Sequence, residues 1–494
     1  MASINLTGIL RDPTGEFSHL NKIRFTHSTN TGQTLKGFRS VHEIAADGAY
    51  DIDLEYGNIF IETLDHLNKD WINQGHLTIN SDTPATDLPS LLGITTPATD
   101  ADLLVFQTLV EDANQYAQDA ESSAVAAAAS EGVVQSIIDD LNYSNTTAGL
   151  VWDSTTDTYR RTGSSNFTLI QKQMKRCVLN VNGTVNYFLN PNNSNLKSDG
   201  VTPSVLDGTD GNVMVQIPKF YYKYTVVGSA KKVEVSQTPQ TGFAVHPAFI
   251  KDVVEVDYRY YRAYEGFVDT GVLTSRSGVT PTRSVDLPTF RTYAVANGAG
   301  WHLTDWQLLH AVQILYLVEF GTFNSQSVLG QGNSLGDDYG VTTGLSNSLG
   351  NQSSDASNSD WMSYRGIENF YADIWEMIDG INIREREVFL NNDYNTFASD
   401  VFTGDYVSTG LTLPSASSSY IRDVNFGDDG FLFTNVSGAG SSTYVTDGSW
   451  SNHSDRVFYC GGAANRGAIC GAFCASAHDD SSAVDVRIGA AVSF

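Results

Sequence analysis

The sequence predicts an α+β chain that is mostly β, with two β-rich regions separated by one long helix. Three observations lead to this. Residues 1 to about 90 alternate apolar and polar side chains between Gly, Asp and Pro turn residues, the period of half-buried antiparallel strands. Residues 103–141 repeat apolar side chains at alternating spacings of three and four, the period of a coiled-coil helix. Residues 146–494 return to short alternating runs, broken by one strong helical pattern.

Composition bounds the function. The 494 residues are enough for two or three domains. A net charge of -27 argues against nucleic acid as a partner, which would need a basic face, and makes an anionic membrane surface a poor one. Only 17% of residues are charged, and Gly, Ser, Thr, Asn and aromatics fill the balance, the profile of a polar-surfaced extracellular protein. The first residues lack the basic and apolar regions of a secretory signal, and no apolar run approaches the ~18 residues of a membrane span. Cys177, Cys460, Cys470 and Cys474 are too few for a disulfide framework and are expected as thiols.

In the first region Ile4, Leu6 and Ile9 open a strand that turns at Asp12–Gly15. Asp47-Gly48 is a second turn, after which Tyr50, Ile52 and Leu54 share a face. Asn58–Glu62 and His76–Asn80 complete a β-sandwich over 1–90. Residues 81–100 are rich in Pro, Thr and Asp and are expected to form a linker, with Asp100 as an N-cap.

The helix follows within a stalk region spanning 91–145. Leu103, Phe106, Val110, Ala113, Ala117, Ala120, Ala124 and Ala127 form its seam, which resumes after Glu131 at Val134, Ile138 and Leu141. The alternative is a single amphipathic helix lying on a globular domain; the polar residues at the other positions argue for self-association. An alanine seam buries little area, so neighbouring domains must help hold the strands together. At ~1.5 Å per residue the stalk would be about 60 Å long.

In the third region, 146–494, the aromatic runs Phe220–Tyr224 and Tyr258–Tyr264 suit sheet packing better than sugar stacking. Trp301–Gly321 is the strongest helix, with Thr304 and Gln307 as a capping box, a stripe of Leu308, Val312 and Leu315, and Gly321 as its stop. A Gly/Ser/Asn-rich stretch runs on to 360. Next comes Gly366-Ile-Glu-Asn-Phe-Tyr-Ala-Asp-Ile-Trp-Glu-Met-Ile-Asp-Gly-Ile-Asn-Ile383, in which Trp375–Gly380 is expected to be a core strand ending in an Asp379-Gly380 turn.

This last segment resembles the central motif of the C-type-lectin-like domains that end many bacteriophage tail fibres and carry the variable proteins of diversity-generating retroelements. The helix at Trp301–Gln326 and the closing segments Asp455–Cys474 and Val486–Phe494 are similar to the same family, which thus covers most of 150–494. Ala491 stands where the family commonly has an arginine. Leu6–Gly15 and Asp47–Gly57 resemble the attachment domain of lambdoid side tail fibres. The resemblance implies a virion-borne homotrimer, made in the host cytoplasm and released by lysis. Its N-terminal domain would join other virion tail proteins, and its lectin-like head would bind a host surface glycan or outer-membrane protein.

An enzyme is the competing class, either an oxidase of the formylglycine-generating type, whose members use a cysteine pair, or a glycan hydrolase, for which the many Asp and Glu residues single out no pair. Cys470 and Cys474 with His478 match no strong zinc spacing, and no nucleophile elbow, metalloprotease, P-loop or EF-hand signature occurs. Glu-Pro-Asn and Gln-Pro-Asp triplets are missing, and Trp450-Ser-Asn452 only partly imitates the calcium-lectin Trp-Asn-Asp. No catalytic residue, metal or cofactor is expected. A structural spacer carrying a separate adhesin is the third possibility. The resemblance implies a binding face on the closing strands, where Trp450, Asn452, His453, Tyr459, Asn465, Arg466, His478, Asp479 and Asp480 combine aromatic area with short polar groups. Gly461, Gly462, Ala463 and Gly471 are expected to leave room there for a ligand, and Tyr459 and Arg466 to lie outside the core.

Overall fold

The computed structural model describes residues 3–10, 20–28, 37, 39–65, 70–84, 87–91, 146–442 and 445–494. It divides into two units, Met1–Ile137 and Ile138–Phe494. Among the described residues both are built largely of strands, a β-rich α+β architecture. The expected coiled-coil positions Leu103–Leu141, the N-cap Asp100 and the Asp12–Gly15 turn lie outside the described residues. No helix among the described residues is long and apolar enough to cross a membrane.

In the first unit Ser3–Ile9 pairs antiparallel with Ala49–Glu55, setting Ile4 opposite Leu54 and Leu6 opposite Ile52. A second sheet runs Arg39–Glu43, Leu20–His27, Gly57–Asp65, Asp70–Ile79. Tyr50, Ile52 and Leu54 share one core with Ile23, Phe25, Ile59 and Ile61 of the second sheet, so period-two alternation does place the apolar set on one face. Part of the stretch expected to be a linker from residue 81 belongs to this unit. Leu88–Leu91 forms one helical turn, Asp87 Oδ1 accepts from the Ser90 N–H at 2.7 Å, and Leu88 enters the same core at 1% exposure. One apolar residue outweighs the polar composition around it.

The second unit is organised around the Trp306–Phe320 helix. Asp305, not Thr304, is its N-cap: Asp305 Oδ1 accepts from the Leu308 N–H at 2.8 Å, while Thr304 N–H bonds Ala491 O. Gln307 makes no capping box and instead donates to Asn392 Oδ1. Gly321, at φ 71° and ψ 26°, ends the helix as expected. The expected single stripe is replaced by burial on every side from Trp306 to Val318, because sheets pack around the helix. Among the described residues two five-stranded sheets and one eight-stranded sheet surround this core. Phe220, Tyr222, Tyr261 and Tyr264 are buried among them, so those aromatic runs do pack sheets.

The eight-stranded sheet centres on Trp375–Arg384. This strand continues straight through Asp379-Gly380, where the sequence suggested a turn. Gly380 adopts φ 74°, and the pairing with Arg456–Cys460 shifts register between Ile378 and Ile383, so the pair is a bulge. Asp379 is held by Arg291 through two bonds of 2.7 and 2.9 Å. The other acids of this segment also face inward. Glu376 accepts from Arg262 Nε at 2.7 Å, and the same guanidinium donates to the carbonyls of Glu368 and Asn369. Glu368 accepts from Gly344 N–H, Ser346 N–H and Ser346 Oγ. Asp373 accepts from Asn333 Nδ2 and the N–H groups of Gly340 and Val341. The Gly/Ser/Asn-rich stretch is thereby an ordered loop wrapped on two buried carboxylates.

Arg262 and Glu376 are both almost fully buried. Glu376→Ala is expected to cost ~3–5 kcal/mol in urea denaturation of the second unit, because it strands a buried guanidinium. Arg262→Met combined with Glu376→Leu should recover most of that loss; a double variant as unstable as the single one would contradict the account.

Candidate functional site

The closing strands Val445–Ser451, Arg456–Cys460 and Ala475–Ala477 lie side by side in the eight-stranded sheet. Ala475–Ala477 pairs parallel to the first and antiparallel to the second. These strands and the segments between and after them carry the expected binding residues, which separate into buried and exposed sets.

Two of the expected residues prove to be framework. Tyr459 is 1% exposed and belongs to the core, contrary to its expected position outside it. Its hydroxyl has no hydrogen-bond partner, and burial pushes its pKa up, with Asp479, Asp480 and Asp485 adding to the effect. Trp450 is 8% exposed and stands edge-on to Trp375 at 5.3 Å. Both rings follow strand alternation inward, a direction that the sequence of a short strand between glycines leaves open.

The remaining residues reach solvent. Asn452, His453, Asn465, His478 and Asp480 are exposed, and Arg466 and Asp479 are half-buried. Arg466 lies over the Trp450 ring, 5.1 Å from its centroid, and has no ion-pair partner within contact distance among the described residues. His478 contacts Asp479 at 3.0 Å, and His453 contacts Glu385 at the same end of the strands, where Asn452 N–H bonds Ala477 O. Asp480 binds the Ser482 hydroxyl and N–H, which lower its pKa.

A second segment joins this surface. Gly336 N–H donates to Ala464 O at 2.8 Å and Gly467 N–H to Ser334 O at 2.7 Å, stitching the 333–341 loop to the 464–467 turn. The loop adds Leu335, 76% exposed, and Tyr339, whose hydroxyl bonds Asp337. Asp485 and Arg487, paired at 2.7 Å, adjoin it; the Arg487 donors lower the Asp485 pKa, and Arg466 acts in the same direction. Tyr339, Asp485 and Arg487 were not singled out from sequence. The only signal for them was the Gly/Ser/Asn-rich composition of the loop, which marks a loop without saying what it lies beside.

The small residues do not leave room for a ligand, as had been expected. A Cβ on Gly462 would meet Cys470 Sγ, one on Gly471 would collide with the Asp447 carboxylate, and one on Gly461 would lie 3.2 Å from the Tyr371 backbone. Protein atoms fill these spaces. Asp447 is 1% exposed and accepts from the Phe473 N–H at 2.7 Å, fixing the turn below the surface. The four cysteines are unpaired and buried, and burial pushes every thiol up, away from the reactive thiolate. Cys470 and Cys474 are interior while His478 is exposed, and among the described residues no three metal-ligating groups converge. Ala491 lines a small void beside Glu376, whose Oε1 has no partner; Arg262, from another strand, supplies the guanidinium there.

No protein-family model matches the chain, and no curated protein matches it.

Asp447 makes the closing turn pH-sensitive. Burial raises its pKa to about 7, against the opposing pull of the Phe473 N–H. A carboxyl raised in the folded state contributes stability that is complete below its unfolded value and lost as pH rises through the folded one. Asp447→Asn, which keeps an acceptor for Phe473, should therefore gain on the wild type by up to ~4 kcal/mol between pH 4 and pH 8. Urea denaturation at both pH values checks this, and a difference independent of pH would contradict it.

Proposed function

We propose that the chain is a bacteriophage tail fibre that attaches the virion to a host cell by non-covalent recognition. On this reading 1–90 joins other virion tail proteins, 91–145 forms a homotrimeric coiled-coil stalk, and 146–494 is a C-type-lectin-like head. The head binds a host surface glycan or outer-membrane protein. The observation that carries the proposal is the surface around Arg466. An unpaired guanidinium sits on an indole, with Leu335 exposed and Tyr339 and Asp485 half-buried nearby, above a buried framework. Arginine and aromatic groups are the usual anchors of recognition surfaces, and a rigid base lowers the entropy cost of binding. Three such surfaces on one stalk would add avidity without new contacts. Buried, unpaired thiols weigh against oxidase chemistry of the formylglycine-generating kind.

Arg466→Ala with Asp479→Ala is expected to lower adsorption of virions to host cells tenfold or more, ~1.4 kcal/mol at the site. Melting temperature should not change. Tyr459 is unsuited to that test, because truncating a buried aromatic costs ~3–5 kcal/mol of stability. Full adsorption by the folded double variant would move recognition off this surface. Light scattering should give the mass of three chains; a monomer would remove both the stalk and the avidity.

A further inference from the structure

Two histidines inside the second unit belong neither to the proposed recognition surface nor to the buried acid pairs. His246 and His310 are both 0% exposed. His246 caps the short 3-10 turn Pro247–Phe249, and His310 lies on the Trp306–Phe320 helix. Their hydrogen bonds leave one arrangement of protons. His246 Nδ1 accepts from the Ala248 N–H at 3.2 Å, so that nitrogen is bare and Nε2 carries the hydrogen. Nε2 stands 3.2 Å from His310 Nδ1, which must then accept. The hydrogen of His310 is therefore on Nε2, 2.6 Å from the Tyr224 hydroxyl, which accepts it. A line of bonds thus runs from the turn through the helix to the Tyr221–Val227 strand.

The line has no place for another proton. Added at His246 Nδ1, it would face the Ala248 N–H; added at His310 Nδ1, it would face the His246 Nε2–H. No countercharge touches the rings. They pack on Phe220, Phe249 and Phe431, and their titratable neighbours are Tyr222 and Tyr224. Among the described residues the histidines with a carboxylate in contact are His302, His453 and His478. Charge reaches the pair only at one remove. Asp428 accepts from the Tyr222 hydroxyl, and Arg259, paired with Asp305, donates to the Ala248 carbonyl. Burial, with His310 beside it, holds the His246 pKa well below its usual range, and burial holds that of His310 at about 3. A base so depressed contributes stability that is present above its unfolded value of about 6.5 and lost as pH falls toward the folded one.

We propose that His246 and His310 form an acid-operated latch: while both are neutral they hold the Pro247–Phe249 turn to the central helix, and a proton on either ring releases it. The release reaches further, because the turn's Ala248 carbonyl accepts from Arg259, which also donates to the Phe494 carbonyl. The latch does not depend on the role given to Arg466.

The test is hydrogen–deuterium exchange of the full chain, read by mass spectrometry at pH 7 and pH 4.5, with amide rates corrected for their intrinsic dependence on pH. At pH 4.5, about two units below the ordinary value of a histidine, each proton taken up multiplies the open population about a hundredfold. The amides of residues 246–251 are expected to lose at least tenfold in protection. In His246→Asn combined with His310→Gln, each replacement keeps a donor and an acceptor but takes up no proton, and the loss should stay under threefold. His302 is present in both proteins, so its own titration cancels. Exchange at the imidazole C2 hydrogens of the wild type needs no variant: His246 and His310 should show no titration between pH 5.5 and 8, with exposed His453 and His478 as controls. Equal loss of protection in the double variant, a wild-type turn fully protected at pH 4.5, or titration of either buried ring near its ordinary value would each overturn the latch.

Discussion

Charge buried in the second unit must be paid for with partners, and one short segment imposes most of that demand. Glu368, Asp373, Glu376 and Asp379 fall within twelve residues, and none is more than 6% exposed. A carboxylate taken out of water costs several kcal/mol unless hydrogen bonds and opposite charge replace the solvent. The replacements come from far along the chain: Arg262, Arg291, and the amides of Asn333 to Ser346. Satisfying four acids at once fixes the strand bearing residue 262, the helix bearing residue 291, and a loop, Asn333 to Ser346, none of whose own apolar residues is fully buried.

The loop is where this constraint meets function. Apolar burial alone would not order a stretch so rich in Gly, Ser and Asn. Asp373 and Glu368 do so by collecting its N–H groups, and the loop then bonds the 464–467 turn. Glu265 lies beside Asp373, and burial together with that neighbouring carboxylate drives its pKa well up. On the other side Asp447 fixes the 471–474 turn, and Trp375 and Trp450 support Arg466. The exposed polar groups of the closing strands thus project from a base with little freedom to move. Glycines that suggest open space in the sequence mark places where another side chain already sits.

Arg259 plays a comparable part at the C-terminus. It donates to Asp305 and to the carbonyls of Ala248 and Phe494. Burial alone would raise the Asp305 pKa, but Arg259 and the cap bond to Leu308 outweigh it, and the carboxyl is held below its usual range. One carboxylate therefore starts the central helix and anchors the arginine that holds the final residue. The helix start and the last strand are coupled, since Thr304 also bonds Ala491.

Sequence by itself determined the β-rich class, the shared face of Tyr50, Ile52 and Leu54, the central helix and its stop at Gly321, and the packing role of the aromatic runs. These follow from local rules: strand period, helix period, and the left-handed conformation that glycine tolerates. Sequence also located the closing strands and the polar groups they expose. It misplaced the helix cap by one residue, read the Asp379-Gly380 bulge as a turn, and put Tyr459 outside the core. Each of those depended on a partner distant in sequence: Arg259 for Asp305, Arg291 for Asp379, the facing core for Tyr459. Tertiary structure alone decided that the 333–341 loop lies against the closing strands and that His246 meets His310. Spacing along a chain fixes which way a side chain leans, but only the folded packing fixes what it meets.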